Sequence, residues 1–139
     1  MSEWESSEGE HWADNADRYT RMLAGFGDIV TTAAAHRPGE RVLDVGCGNG
    51  DVTLAAARAV GGTGSVHGVD LSPAMLAVAA TRAVDEGLSN VSFEAADAGS
   101  FEPEVAQFDV VVSRFGVMFF DDPTGAFSHI RSLMAPGGR

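Results

Sequence analysis

Lysine is absent from the 139 residues, and cysteine occurs once, at Cys47. A lone cysteine excludes an internal disulfide and a thiolate metal cluster. The four histidines, His11, His36, His67 and His129, do not fall at metal-ligand spacing, so no metal is expected. Nine arginines stand against 20 acids, for a net charge of -11. Such a surface repels phosphate backbones, and a nucleic-acid partner is not expected. No apolar run approaches the roughly 18 residues that a membrane span needs. The start lacks the basic stretch and apolar core of a signal peptide, so a cytoplasmic domain is the expectation. Hydrophobic residues make up 45% of the chain, enough for the core of one domain. Residues 1–10 hold four glutamates and three serines. They are expected to form a flexible acidic tail, with the domain proper at 11–139.

What is present is an alternation of short apolar runs and longer helical stretches. Residues 41–45, 65–69, 91–95 and 108–113 read as strands. Residues 51–60 read as an alanine-rich helix ended by Gly61 and Gly62. A second helix spans 73–86: Ser72 can cap it, Pro73 suits its first position and Gly87 fits just past its end. Asp122-Pro123 repeats the start signal for a helix to about residue 134, stopped by Pro136-Gly137-Gly138. Upstream, 12–36 reads as one or two helices, interrupted near Gly25 and Gly27. This alternation implies parallel strands joined by right-handed crossovers, a doubly wound α/β sheet covered on both faces. The run Val110-Val111-Val112 suits a strand buried on both sides.

The strongest local signal is Val42-Leu43-Asp44-Val45-Gly46-Cys47-Gly48-Asn49-Gly50. A strand runs into three alternating glycines and then a helix. Glycine permits the turn and lets a ligand lie against bare backbone. The dinucleotide pattern requires glycine at the first, third and sixth places of the loop. Here the sixth place is Asp51, which would repel a pyrophosphate. Asp44, at the strand end, suits a ligand bearing positive charge, such as an ammonium or a sulfonium.

Two further strands end near an acid. The second ends Gly68-Val69-Asp70, and the third leads through Glu94-Ala95-Ala96 to Asp97. Ligands of doubly wound sheets bind at these carboxyl ends. Asp70 lies 20 residues after Gly50, the spacing of an acid that chelates ribose hydroxyls. Asp97 can accept a hydrogen bond from an exocyclic amine.

In order and spacing, residues 44–50, Asp70, Asp97 and the segment 108–113 resemble the class I S-adenosylmethionine-dependent methyltransferases. The resemblance covers about residues 12–139, and residues 133–138 look like that family's turn into its fifth strand. It implies a Rossmann-like sheet of order 3-2-1-4 behind N-terminal helices. It also implies S-adenosylmethionine as cofactor. Asp44, Gly46, Cys47 and Gly48 would surround its methionine end, and Asp70 its ribose. Leu71 and Met75 would pack near the adenine, and Asp97 and Ala98 would meet the adenine amine. Ser113 and Arg114 would line the transfer site. Related domains continue into a fifth strand, so the chain is expected to stop before that strand. The fourth strand would then stand at an open apolar edge, an invitation to self-association.

Methyl transfer from a sulfonium is an in-line displacement, in which the protein chiefly aligns the nucleophile and excludes water. Candidates to line the transfer site are His11, Trp12, Tyr19, Arg114 and Phe115. Trp12 and Tyr19 are candidates for a lid, and Arg114 for an anion anchor. Residues 113–120 carry no Asn/Asp-Pro-Pro-aromatic motif and look more like small-molecule methyltransferases. The acceptor is therefore expected to be a small molecule. Two other readings share the glycine loop: a nicotinamide-dependent oxidoreductase, and a non-catalytic cofactor-binding module.

Overall fold

The computed structural model describes residues 2–104 and 107–139. Four parallel strands form one sheet: β1 (Arg41–Val45), β2 (Ser65–Asp70), β3 (Val91–Ala95) and β4 (Val110–Val112). Their order is β3-β2-β1-β4, the expected Rossmann-like arrangement. Among the described residues five α-helices accompany them: α1 (Ser7–Asp14), α2 (Ala16–Ala34), α3 (Asp51–Val60), α4 (Pro73–Asp85) and α5 (Pro123–Ser132).

The period-two geometry of the strands sorts the core. Val42, Val66, Val110 and Val112 point to one face and pack with Val52, Ala56 and Val60 of α3. Leu43, Val45 and Val69 point to the other and pack with Phe101, Phe108, Ile130 and Leu133. Both faces of β1 are thus buried, which is why its sequence is almost continuously apolar. The register places Asp44 beside Gly68 on one side and Val112 on the other, so the acid sits in mid-sheet at its carboxyl end.

The caps at α4 and α5 are as expected. The Ser72 hydroxyl accepts from the Met75 N–H, and an Asp122 carboxylate oxygen accepts from the Gly125 N–H. Three features differ from the sequence reading. The first is the upstream helical region. It divides at Asn15, while Gly25 and Gly27 continue within α2. Interior glycine costs a helix only about 1 kcal/mol, and Gly27 has a use: a Cβ there would lie 3.0 Å from Nη1 of Arg114.

The second is the acidic segment expected as a flexible tail. Glu3–Glu5 form a 3-10 turn and Ser7 begins α1. Gly9 is buried where α1 crosses the start of α4; a Cβ on it would lie 2.2 Å from the Ser72 hydroxyl. The domain therefore has ordered structure ahead of residue 11.

The third is β4. Its ladder with β1 covers 110–112, because Phe108 bridges to Met134 and Asp109 accepts the Arg41 N–H with its carboxylate. The outer edge, expected to stand open, is partly filled. The Phe108 N–H donates to the Leu133 carbonyl, Ala135 to Phe108, Arg139 to Asp109 and Val111 to Arg139, at 2.8 to 2.9 Å. These bonds use up much of the template that another chain would need.

Candidate functional site

The carboxyl ends of the strands open into a cleft of about 910 Å³. Small-molecule sites run from roughly 300 to 1,000 Å³, so the cleft lies at the roomy end of that range. Asp44, Gly46, Cys47, Gly48, Asp70, Leu71, Met75, Asp97 and Ala98 all line it. Ten candidate binding positions were expected, and Ser113 is the one that does not.

The loop after β1 is held from below. The Gly46 and Cys47 N–H groups both donate to the Val69 carbonyl, at 2.8 and 3.0 Å. The Gly48 N–H donates to Oδ2 of Asp70 at 2.8 Å, and Oδ1 of Asp70 accepts from the Ser72 N–H at 2.9 Å. One carboxylate therefore ties the glycine loop to the start of α4. An ionised carboxylate has about four acceptor positions, so acceptor capacity remains for hydroxyls of a ligand.

The three loop glycines have positive φ: 67° at Gly46, 53° at Gly48 and 92° at Gly50. Side chains here would meet protein. A Cβ at Gly48 would lie 2.8 Å from the end of Met75, and one at Gly50 2.8 Å from the Ala79 Cβ. The bare backbone expected to face a ligand thus also serves close packing of the loop against α4.

Asp44 is 1% exposed, and its Oδ2 accepts from the Thr53 hydroxyl at 2.6 Å. Its Oδ1 is buried without a partner among the described residues. Burial raises its pKa from 3.8 to about 7, against the pull of Thr53 and Arg114. Burial also raises Asp70, partly offset by its backbone donors. An unsatisfied buried carboxylate oxygen is costly unless something supplies a proton or a cation. Asn49 is the neighbouring case: its amide donates to the Trp12 carbonyl while its Oδ1 is buried without a partner among the described residues.

Cys47 is buried against Gly68, and burial pushes its thiol well above the usual range. It is no nucleophile. Asp97 is exposed, and its Oδ1 accepts from the Gly99 N–H at 2.8 Å, fixing the turn beneath Ala98.

Two transfer-site candidates, Ser113 and His11, fall elsewhere. The Ser113 hydroxyl donates to the Val45 carbonyl at 2.7 Å and accepts from the Gly116 N–H at 3.1 Å. It locks the chain after β4 to the end of β1. His11 is exposed outside the cleft, paired with the Tyr19 hydroxyl at 3.0 Å. Arg114 lines the cleft but is taken: Nη2 donates to Oδ2 of Asp51 at 3.1 Å, and Nη1 reaches the Leu23 carbonyl at 3.5 Å. Trp12 and Tyr19 both line the cleft, their rings stacked at 3.7 Å.

Three residues were missed by the sequence reading. Asp51 accepts from Thr20, Arg82 and Arg114, so α2, α4 and the segment after β4 meet on it. Gly116 lies against Gly46, and its only sequence signal is its place just after the strand-end Ser113-Arg114. Trp4, in the supposed tail, reaches the cleft and meets Phe119 edge-on at 5.2 Å.

Comparison with known proteins agrees with this geometry. A family model described as "Methyltransferase domain" matches residues 42–138. The chain is similar to the aklanonic acid methyltransferase DauC of Streptomyces sp. (strain C5). The two are 40% identical over 119 residues, covering 86% of this chain and 51% of that one. Among solved structures, an arsenic(III) S-adenosylmethionine methyltransferase of Chlamydomonas reinhardtii superposes with a TM-score of 0.66 at 36% identity. That match covers 73% of this chain and 37% of the other. The cyclase SpnF superposes at 0.72 with 32% identity, over 81% and 41%. The chain spans about half the length of the curated relatives it matches.

Proposed function

Since this chain belongs to the methyltransferase domain family, we propose that it holds S-adenosylmethionine on the glycine loop and directs its methyl group to a small-molecule acceptor. The observation that carries the reading is the Asp44–Asp70 pair. One is a buried acid with an orphan oxygen under the loop, and the other is a carboxylate with spare acceptor positions at the next strand end. A ligand with a cationic group and two vicinal hydroxyls satisfies both. The residues present therefore fit this cofactor. Asp44 and the backbone of Gly46–Gly48 would face its methionine part, Asp70 its ribose, and Leu71, Met75, Asp97 and Ala98 its adenine. When bound, it supplies an electrophilic methyl group on a sulfonium.

This chain's own residues do the remaining work. The strand ends fix the loop, α1 and α2 wall the cleft from water, and the aromatic residues at its outer side position the acceptor. No residue is assigned as a general base. Tyr19, with His11 behind it, is the candidate where the acceptor must lose a proton. The acidic cleft supports a small-molecule acceptor over a nucleic acid. Among the described residues, no helix is long and apolar enough to cross a membrane.

The competing nicotinamide reading fits less well. Asp51 opens the helix where a pyrophosphate would sit, and its charge is already shared between two arginines. The fold alone does not fix the reaction, since a superposing solved structure is that of a cyclase, SpnF.

Titration calorimetry of the 139-residue chain tests the proposal. S-adenosylmethionine should bind and NAD should not. Asp70→Asn should weaken binding at least tenfold with the fold intact by circular dichroism. Binding of NAD alone, or unchanged affinity in Asp70→Asn, would overturn it. Turnover on an acceptor panel then separates an enzyme from a binding module.

A further inference from the structure

The cleft has two unlike halves. The half over the glycine loop is polar. The outer half is aromatic, lined by Trp4, Trp12, Tyr19, Phe115 and Phe119. Phe119 is 56% exposed and Phe115 44%, although both rings are apolar. Exposed apolar area of this kind gains free energy when a ligand covers it. The rings meet mostly at angles: Trp4 and Phe119 edge-on at 5.2 Å, Trp4 and Trp12 tilted at 6.0 Å, Phe26 and Phe115 edge-on at 5.1 Å. Edge-on pairs leave ring faces free for a further ring.

The charges of this half are already used. Arg114 is the single cation lining the cleft among the described residues, and Asp51 holds it. No unpaired cation is left there for a carboxylate or a phosphate. Asp51 in turn is shared by Arg82 and Arg114, and Asp122 caps α5. Glu5 accepts from the Ser2 N–H and Asp121 remains; both are exposed at the rim, where water screens them. An anion entering this half would therefore meet acids and no free partner. A cation would stand beside the sulfonium of the bound cofactor.

We propose that the outer half of the cleft is the acceptor subsite, and that it takes a planar, fused-ring, uncharged compound stacked among Trp4, Trp12 and Phe119. The inference rests on the cofactor reading above and names its acceptor class.

Three naphthalenes that differ only in charge test it: 2-naphthalenemethanol, 2-naphthoate and 2-naphthylmethylammonium. The 139-residue chain is first titrated with S-adenosylhomocysteine by calorimetry and then saturated with sinefungin, an analogue that carries an ammonium where the cofactor carries its sulfonium. Each probe is next added at pH 7, and binding is read from the indole N–H resonances. The chain has two tryptophans, Trp4 and Trp12, and both line the cleft, so both signals report on the subsite. The alcohol should bind at least tenfold tighter than either charged probe and shift both indole signals. Phe119→Arg should raise naphthoate affinity at least tenfold and lower that of the alcohol. A charged probe that binds the native chain as tightly as the alcohol overturns the proposal. So does S-adenosylhomocysteine binding with no probe binding, or an unchanged preference in Phe119→Arg. Failure of S-adenosylhomocysteine itself to bind overturns instead the reading on which the proposal rests, and the proposal with it.

Discussion

Gly46 and Gly116 stand back to back, one in the loop after β1 and the other in the segment after β4. A Cβ on Gly46 would lie 2.7 Å from the Cα of Gly116, and a Cβ on Gly116 2.9 Å from the Cα of Gly46. This backbone contact sets how close the two walls of the cleft can come. The Ser113 hydroxyl, bonded to the Val45 carbonyl and the Gly116 N–H, holds it in place.

Gly116→Ala should therefore act on the site by sterics alone. Gly116 has an ordinary helical φ of -83°, so alanine brings no backbone strain. Its Cβ would meet the Val45 carbonyl oxygen at 2.4 Å, and backbone cannot swing aside as a flexible side chain can. The expected outcome is a loss of about 1–3 kcal/mol in urea unfolding, with cofactor affinity down at least tenfold by calorimetry. Gly25→Ala is the contrast. Nothing lies near its Cβ, and it should gain about 0.5–1 kcal/mol. Equal effects from the two would dissociate the Gly46–Gly116 contact from the site.

Asp44 should make both stability and binding depend on pH near neutrality. Its folded pKa is about 7 against an ordinary 3.8. Between those values the folded chain keeps a proton that the unfolded chain has released. Stability from this group therefore falls as pH rises from 4 to 7, and levels off above. Asp70, also raised, adds to the same slope. A cationic ligand group favours the ionised form of Asp44, so binding should strengthen from pH 6 to 8 and release a proton. Asp44→Asn should remove most of both trends. The checks are urea midpoints across the range and calorimetry in buffers of differing ionisation enthalpy. Unaltered slopes in Asp44→Asn would assign the titration to another group.

Gly9→Val probes the closure of α1 over the cleft. The new side chain would overlap the Ser72 hydroxyl and the Trp4 carbonyl, each 2.2 Å from its Cβ. Since Ser72 follows Asp70 and Leu71 in the cleft wall, lifting α1 opens that side. Cofactor dissociation by stopped flow should quicken at least fivefold, while global stability falls by about 1–3 kcal/mol. An unchanged dissociation rate would show that α1 does not cover the ligand.

The sheet and the α3, α4 and α5 helices were legible because local rules decide them. Short, almost continuously apolar runs mark the strands, and Ser72-Pro73 and Asp122-Pro123 mark helix starts by chemistry within three residues. Nine of the ten expected binding positions reach the cleft for the same reason: they follow strand ends, where the fold must place them. What stayed hidden depends on distant partners. Gly9 is buried by Ser72, 63 positions away in the chain, so the segment looked like solvated acid. Gly25 and Gly27 read as breaks because nothing local shows that α2 is braced by neighbours. Ser113 pointed inward to Val45, which residue type alone does not disclose. Arg114 looked like a free anchor until Asp51 was found beside it.

Asp51 has a mechanical consequence of its own. Through Thr20 it grips α2, through Arg82 the α4 helix, and through Arg114 the segment beyond β4, all from the first residue of α3. Parts that are distant in sequence thus share one rivet. Loosening any one of them weakens the hold on the others, and the effects of changing Arg82 and Arg114 will not add. The cleft is then less a pocket between independent walls than a single jointed part.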